Sequence, residues 1–232
     1  MRIGDLHSML ARERARVGAA GMTSAPTKSA RSSLAVIVLV GGGSTRMGRP
    51  KAWLDFDGLP LLARVVERVR PAVDEIVLVA APGQVLPPIG GDATVVRDTH
   101  PGEGPLPALA LGLATIAAPW ALAVGCDGPL LRSAVIAHLA GLRADDCDAI
   151  VPVWNDRPQP LVALYRRALR PTLDAMVAGG ERRLRAIARL PRVRRVEAEA
   201  LRALDPEGES FRSLNTPEEY AAALATFAAA RE

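Results

Sequence analysis

The chain has 232 residues, of which 49% are hydrophobic and 23% are charged, the composition of a globular protein with one sizeable core. The formal net charge of +4 suits either nucleic acid or a small anionic substrate. Aromatic residues make up only 3%, so base-stacking platforms are scarce and nucleic acid is not expected as a partner. No apolar run approaches the ~20 residues that span a bilayer, so no membrane contact is expected either.

The cysteines and histidines do not indicate a metal or disulfide framework. Cys126 and Cys147 form no C-x-x-C pair, and no histidine has ligand spacing with them, so the cytoplasm is the expected compartment. Residues 1–33 are rich in Arg, Ala, Ser and Gly without an apolar block after the basic residues. This segment predicts a disordered or frayed extension rather than a secretory signal, and residues 34–232 are expected to form one domain.

An apolar run leads into a glycine-rich loop. Residues 34–40 are all apolar and mostly β-branched, which predicts a strand buried on both faces. The glycines at 41–43 and Ser44 follow, and a loop without β-carbons lets backbone N–H groups converge on an anion. Arg46 and Lys51 add positive charge. The backbone amides of the loop can bond the oxygens of a polyphosphate while Arg46 and Lys51 offset its charge, so we interpret the loop as a triphosphate site.

Two better-known glycine motifs do not match this loop. The P-loop requires Gly-Lys-Ser/Thr after its four variable residues, whereas Gly48 is followed here by Arg49 and Pro50. The dinucleotide fingerprint requires a third glycine where this chain has Arg46. The remaining alternative is a simple glycine-rich turn with solvated cations, which the specific order of residues disfavours.

After the loop, apolar segments at helical and strand spacing alternate along the chain. Pro60 introduces a helix that Pro71 ends. The next segments predict strands at 75–81, 94–96 and 120–126, with a helix at 106–116. The later segments predict helices at 133–142, 171–178 and 182–190, strands at 149–153, 161–165 and 193–196, and a final helix that Thr216 caps as part of a capping box with Glu219.

Strands that alternate with helices predict an α/β fold with a doubly wound, mostly parallel sheet. In the usual strand order, 3-2-1-4, ligands bind beyond the carboxyl ends of the strands at the point where the order reverses. The glycine loop ends the first predicted strand, Asp98 the third and Asp127 the fourth, so these features should meet at one edge. Asp127 can hold Mg²⁺ together with substrate phosphates, or it can cap a helix before Pro129. Asp98 is equally interpretable as a loop residue.

The loop resembles the signature of nucleotidyltransferases that make activated sugars and cofactors, Gly-x-Ser/Thr-x-Arg-Met-Gly followed by Lys. Four further segments extend the resemblance, to the molybdenum cofactor guanylyltransferases, over residues 34–220: Gly104-Pro105-Leu106, the Asp-x-Pro of 127–129, QPLVALY at 159–165, and Asn215-Thr216-Pro217. It implies a single-domain, Rossmann-like fold of the nucleotide-diphospho-sugar transferase type.

The same resemblance implies a reaction and its partners. GMP would pass from GTP to the terminal phosphate of molybdopterin, or Mo-molybdopterin, with release of pyrophosphate and formation of the guanine dinucleotide cofactor. Mg²⁺ would be the cofactor, and the product would bring transient contact with molybdoenzymes or their chaperones.

Residue by residue, the loop and the resemblance together assign three sets of site residues. The nucleotide-binding set is Leu39, Val40, Gly41, Gly42, Gly43, Ser44, Lys51, Asp98 and Asp127. Arg46, Lys51 and Asp127 are the candidate catalytic residues, and Asp127 is the candidate metal ligand. Gln159, Pro160 and Asn215 are the candidate acceptor-binding residues.

Some positions depart from the family pattern and leave alternatives open. Many members carry a polar residue, often Asn, at the end of the second strand, where this chain has Val79 or Ala80. The closing motif of the family, which ends here in Asn215-Thr216-Pro217, is commonly Asn-x-Asn-Thr-Pro, and Ser213 replaces its first Asn. A transferase that uses CTP or another nucleotide, on a pterin or another phosphorylated acceptor, is therefore an alternative. A non-catalytic cofactor carrier is another, although a carrier would not need the charges of Arg46, Lys51 and Asp127 together.

Seven arginines lie within residues 182–195. This basic run could attract an anionic acceptor or an acidic partner enzyme. A solvated helix face and a charge-protected edge strand explain it as well, and this second interpretation is the favoured one.

Overall fold

The computed structural model describes residues 33–41 and 50–229. The predicted extension at 1–33 therefore lies, except for Ser33, outside the described residues. The predicted site residues Gly42, Gly43, Ser44 and Arg46 also lie outside them.

Eight strands of the described chain form one mixed sheet, and two more form a short hairpin. The hairpin strands are β2 (Asp55–Phe56) and β3 (Leu59–Pro60). The sheet strands are β1 (Leu34–Leu39), β4 (Glu75–Ala80), β5 (Thr94–Arg97), β6 (Trp120–Gly125), β7 (Ala149–Trp154), β8 (Arg157–Pro158), β9 (Val162–Arg166) and β10 (Val193–Val196). The order is β10-β7-β9-β6-β1-β4-β5, with β8 paired to β7.

Strand direction confirms the mostly parallel sheet. β1 pairs in parallel with β4 and β6, and β4 pairs in parallel with β5, so the predicted order 3-2-1-4 is present as β5-β4-β1-β6. β9 runs antiparallel to its neighbours β6 and β7. The burial of all six residues of β1 agrees with a central strand covered on both faces.

The helices cover both faces of the sheet. They are α1 (Leu61–Val69), α2 (Pro105–Thr115), α3 (Ser133–Gly141), α4 (Arg170–Ala178), α5 (Ala198–Arg202) and α6 (Pro217–Ala229). Alternate residues of β1 point to opposite faces, so Val36 packs in one apolar cluster with α1 and α3. Ile37 packs in the other cluster with α2 and α4. No helix among the described residues is long and apolar enough to cross a membrane.

The helix predicted at 182–190 is wrong, because the structure has a 3₁₀ segment there, Leu184–Arg189. Only Leu184 and Ile187 of this segment are buried. Two buried residues three positions apart match the period of a 3₁₀ turn, in which residues i and i+3 eclipse each other. The segment has no apolar stripe that would favour a longer α-helix.

The last helix closes a third apolar cluster beside the hairpin. Phe227 of α6 packs against Phe56 of β2 with ring centroids 5.4 Å apart. At the start of α6, the Glu219 N–H donates to Thr216 Oγ1 at 3.2 Å, and Glu219 Oε2 accepts from the Thr216 N–H at 3.0 Å. These two bonds are the predicted capping box, which fixes where the chain turns into α6.

Candidate active site at the carboxyl edge of the sheet

The carboxyl ends of β1, β4, β5 and β6 lie at one edge, because these strands are parallel. Hydrogen bonds continue beyond the last strand residues: the Val40 N–H donates to Val79 O at 2.9 Å and the Cys126 N–H to Leu39 O at 3.2 Å. The segment from Leu39 to Gly41 and Asp127 therefore leave the sheet side by side.

Three side chains from distant parts of the sequence meet at this edge. Lys51 Nζ donates to Asp127 Oδ2 at 3.2 Å and to Asn215 Oδ1 at 2.8 Å. Lys51 begins the 3₁₀ segment Lys51–Trp53 that follows the glycine loop. The Leu214 N–H donates to the backbone oxygen of Asp127 at 3.0 Å, which holds the closing motif against the end of β6. Asn215, predicted only as an acceptor residue, is thus a direct partner of Lys51.

Gly125 gives the Asp127 carboxylate its space. A Cβ built on Gly125 would stand 2.5 Å from Asp127 Oδ1 and 3.5 Å from Leu161 Cδ1. Real Cβ atoms do not approach an oxygen this closely, so any larger residue at 125 would displace the carboxylate. The small last residue of β6 is therefore part of the site.

The surroundings of Asp127 suit a metal-binding carboxylate better than a helix cap. The next described helix, α3, begins at Ser133, with Arg132 at its N-cap position. The Asp127 side chain is 22% exposed. No group of three or more His, Cys, Asp or Glu residues that could hold a metal ion occurs in the described part of the chain. A single carboxylate is compatible with Mg²⁺, which binds through one or two carboxylates together with waters and phosphates, and the metal role of Asp127 stays a prediction.

Cys126 lies between the strand and Asp127, but its thiol is not a nucleophile. Burial is the main cause that raises the pKa of Cys126 to about 12, and the neighbouring charge of Asp127 adds to it. The Sγ atom lies 3.9 Å from Val40 O as a weak donor. A thiol that stays protonated at neutral pH has little nucleophilic character, so Cys126 serves packing.

The remaining predicted residues occupy more local settings. Asp98 follows β5, and its Oδ1 accepts from the His100 N–H at 2.9 Å, as in a local turn. Gln159 Nε2 donates to Arg157 O at 3.1 Å. Pro160 O accepts from the Tyr165 hydroxyl at 2.8 Å. None of these three residues is a hydrogen-bond partner of Lys51 in the described part of the chain, and their ligand roles stay predictions.

Gln84 supplies an amide near the end of β4 that the sequence pattern did not indicate. Its Oε1 accepts from the Ala81 N–H at 3.0 Å, and its Nε2 lies 3.4 Å from Val40 O. The position where many family members carry a polar residue is Val79 or Ala80 here, and both are buried and apolar. A residue that returns from a loop gives no periodic signal, and for this reason the pattern missed it.

A cavity of about 650 Å³ opens beyond the ends of β7 and β8. Gln159 is the predicted residue that lines it, together with Trp154, Glu209, Phe211 and Arg212. The sequence analysis missed the last four. The only local signal was the turn-forming Asp205-Pro206 and Gly208, which does not indicate where the turn packs.

The basic run is largely ion-paired. Arg182 pairs with Glu103 at 2.8 Å, and Arg192 pairs with Asp148 at 2.8 Å. The other pairs are Arg183 with Glu181, Arg194 with Asp146 and Arg195 with Glu197. These pairs support the interpretation of a solvated, charge-protected surface.

Comparison with known proteins identifies the family of the chain. The model of the family described as "MobA-like NTP transferase domain" matches residues 36–198. A probable molybdenum cofactor guanylyltransferase of Mycobacterium avium (strain 104) is 41% identical over 159 residues, which are 66% of this chain and 80% of that protein. A molybdenum cofactor guanylyltransferase of Desulfosudis oleivorans is 33% identical over 196 residues, 84% of this chain and 96% of that protein.

Solved structures show the same architecture. The molybdopterin-guanine dinucleotide biosynthesis protein A of Archaeoglobus fulgidus superposes with a TM-score of 0.69 and 27% identity, over 84% of this chain and 99% of that one. A 2-C-methyl-D-erythritol 4-phosphate cytidylyltransferase of Thermus thermophilus, at 20% identity and a TM-score of 0.62, covers 83% of this chain and 98% of that one; this likeness concerns the fold. The chain therefore belongs to the MobA-like NTP transferase family.

Proposed function

We propose that this protein transfers GMP from GTP to the terminal phosphate of molybdopterin and releases pyrophosphate. The observation that carries the proposal is the meeting of Lys51, Asp127 and Asn215 at the carboxyl edge of the sheet. This junction lies beside the end of β1, where the glycine loop begins. The relatives are named molybdenum cofactor guanylyltransferases, which supports GTP and molybdopterin as the substrates.

In this proposal the nucleotide lies over the ends of β1, β4 and β5. Leu39, Val40 and Gly41 contact the nucleoside and the loop amides bind its phosphates, with Asp98 at the outer side. Lys51 offsets phosphate charge, as Arg46 does from the loop. Because phosphoryl and nucleotidyl transfer ask for little covalent chemistry from the protein, positioning and electrostatic stabilisation account for most of the catalysis.

Asp127 would hold Mg²⁺, which supplies charge neutralisation at the α- and β-phosphate oxygens when bound. The acceptor phosphate attacks the α-phosphorus in line, a new P–O bond forms, and the bond to the β-phosphate oxygen breaks. A phosphate nucleophile is already ionised at neutral pH, so no side chain has to remove a proton. The protonated Cys126 thiol is therefore not needed in the reaction.

The domain boundaries and the cellular compartment of the enzyme are part of the same proposal. Residues 34–232 form the nucleotidyltransferase domain and residues 1–33 an extension. Both described cysteines, Cys126 and Cys147, are free and buried, which supports the cytoplasm as the compartment. The finished dinucleotide cofactor would pass to molybdoenzymes or their chaperones.

A cytidylyl transfer is the second candidate, favoured by one observation. Val79 and Ala80 are 1% and 0% exposed, so neither residue offers a side-chain hydrogen bond to guanine. The fold and the phosphate chemistry would be unchanged in this case.

The deciding measurement is pyrophosphate release with Mg²⁺ and molybdopterin, with GTP, CTP, ATP and UTP in parallel. Release with GTP alone is the expected result. Preference for CTP would replace the guanylyl assignment by the cytidylyl one. If no nucleotide gives pyrophosphate release, both assignments are contradicted and the non-catalytic carrier becomes the better interpretation.

A further inference from the structure

The cavity beyond β7 and β8 lies on the opposite side of Asp127 from the proposed nucleotide site. Trp154 is the last residue of β7, and β7 and β9 lie beyond β6, away from β1, β4 and β5. The cavity wall also reaches the active site itself. The backbone oxygen of Arg212 is 4.0 Å from the position that a Cβ would take on Gly128, next to Asp127.

Glu209 is a buried acid in this wall with one oxygen unpaired. The residue is 8% exposed, and its Oε1 accepts from Arg212 Nη1 at 2.9 Å. Its Oε2 is buried and has no hydrogen-bond partner among the described residues. A buried carboxylate oxygen without a donor is costly, so an unpaired one in a cavity wall indicates that a ligand supplies the donor.

The backbone around Glu209 is held in place, so its position is not accidental. The Glu209 N–H donates to Asp205 Oδ1 at 3.0 Å, and the Ser210 N–H donates to Asp205 Oδ2 at 2.7 Å. Asp205 is fully buried and also pairs with Arg132. The loop therefore presents Glu209 from a fixed base, as a binding residue requires.

The cavity has an aromatic wall that suits a flat ring. Trp154 and Phe211 both line it, with ring centroids 5.4 Å apart and planes inclined at 31°. Gly208, with φ at +67°, lies so close to Trp154 that a Cβ there would stand 2.2 Å from the indole ring. The glycine thus keeps the indole packed against the loop that carries Glu209. Polar side chains, Gln159 and Arg212 among them, complete the lining around Glu209, and an aromatic wall with convergent polar groups is typical of small-molecule sites.

We propose that this cavity binds the pterin ring of the acceptor, with Glu209 pairing to its 2-amino-4-oxopyrimidine edge. That edge presents an amino N–H and a ring N–H side by side, and a carboxylate accepts two parallel hydrogen bonds of this kind. The Arg212 side chain is 42% exposed, so it can leave Oε1 for solvent when the ring enters. The inference rests on the proposed function for the identity of the acceptor. Guanine carries the same edge, but the cavity lies away from the proposed nucleotide site.

Calorimetric titration with 6-hydroxymethylpterin and 6-hydroxymethyllumazine tests the pairing without any need for turnover. Lumazine carries a carbonyl in place of the 2-amino group, so an oxygen would face the Glu209 carboxylate. The wild type should bind the pterin ~10-fold or more tightly than the lumazine, since a lost charge-assisted hydrogen bond has about this effect. Glu209→Gln should abolish or invert this preference, because its amide N–H can donate to the lumazine carbonyl.

The matched control is Glu199→Gln, the same change at an exposed position on α5, which should keep the wild-type preference. A wild type that does not distinguish the two rings, or a Glu209→Gln protein that keeps the preference, would overturn the proposal. If Glu209→Gln lowers the Tm but keeps the preference for pterin, Glu209 has a structural role only. This result would overturn the proposal as well.

Titration with GTP distinguishes pterin from guanine as the ring whose 2-amino-4-oxopyrimidine edge pairs with Glu209. Glu209→Gln should bind GTP as the wild type does, and weaker GTP binding would assign the cavity to guanine and overturn the pterin assignment. The proposed function fails by a different result, which is the absence of pyrophosphate release by the wild type. The preference for pterin over lumazine can still be measured in that case.

Discussion

A single ammonium group joins the parts of the chain that carry the candidate chemistry. Lys51 hydrogen-bonds Asp127, 76 positions away in the sequence, and Asn215, 164 positions away. The side chain of Lys51 is 16% exposed, so its charge is partly shielded from water. Before substrate binds, these oxygens offset that charge, and a phosphate can take their place.

Loss of Lys51 or of Asp127 should lower the rate of pyrophosphate release by ~10²-fold or more, the usual effect of removing one preorganised electrostatic group. The variants are Lys51→Ala and Asp127→Ala, assayed with Mg²⁺ at saturating GTP. Asp174→Asn removes an exposed carboxylate on α4 that pairs with Arg170 and should leave the rate unchanged. An Asp127→Ala enzyme with full Mg²⁺-dependent activity would remove the metal assignment.

Asn215→Ala should lower kcat by ~10-fold or more, because a hydrogen bond to a charged group contributes about 1.5–3 kcal/mol and Asn215 holds Lys51 in position. Steady-state kinetics with each substrate varied in turn measure this effect. If only the KM for the acceptor rises, Asn215 is an acceptor-binding residue as the sequence predicted, and the positioning role is wrong.

Cys126 should resist alkylation in the native enzyme. Its raised pKa of about 12 means that the thiol is protonated below that pH, and the thiolate is the reactive form. Iodoacetamide at pH 8 should therefore label Cys126 only after unfolding in urea, as peptide mass analysis would show. Rapid native labelling at Cys126 would contradict the burial that raises its pKa.

At the scale of elements, a glycine lets α2 pack directly on β1. A Cβ on Gly112 would stand 2.5 Å from Ile37 Cγ2. Because Gly112 has no side chain, α2 can contact the central strand β1 at this point. The sequence predicted both elements, but nothing in its periodicity indicated how closely they pack.

Gly112→Ala should reduce the free energy of unfolding by about 1–3 kcal/mol, the cost of overpacking a filled core. The matched change is Gly141→Ala in α3, where a Cβ would meet nothing within 4 Å. That variant should gain up to about 1 kcal/mol, since Ala is the better helix former. Urea denaturation measures both, and equal effects of the two changes would contradict the close packing of α2 on β1.

At the scale of the whole molecule, the last helix ties the fold to the site. The family model ends at residue 198, yet Asn215 and the cavity residue Glu209 lie beyond it. The third apolar cluster, with Phe56 and Phe227 at its centre, packs α6 against the hairpin that follows Lys51. Docking of this helix therefore decides whether Asn215 can reach Lys51.

Phe227→Ala should cost about 3–5 kcal/mol of unfolding free energy, the range for a buried Phe, because Phe227 is 5% exposed and carries Arg64 and Arg68 over its ring at 4.9 Å. Pyrophosphate release should fall with it, since Asn215 loses its support. Thr226→Ala, the neighbouring position, should change stability by less than about 1 kcal/mol. Full stability of Phe227→Ala would show that α6 does not depend on this cluster.

By itself, the sequence determined the features that depend on near neighbours in the chain. The apolar run at 34–40, the alternation of strands with helices and the capping box of Thr216 and Glu219 each express short-range periodicity or hydrogen bonding. Parallel pairing then placed Asp98 and Asp127 at one edge with the end of β1, because right-handed crossovers leave few alternatives.

Only the tertiary structure decided the contacts between distant segments. The meeting of Asn215 with Lys51, the antiparallel insertion of β9 and the placement of Glu209 beside Trp154 depend on how closely helices and loops pack on the finished sheet. That packing is set by side-chain volume and by small residues such as Gly112, Gly125 and Gly208, which admit close approach. No spacing along the chain encodes such distances, and for this reason these contacts appear only in the tertiary structure.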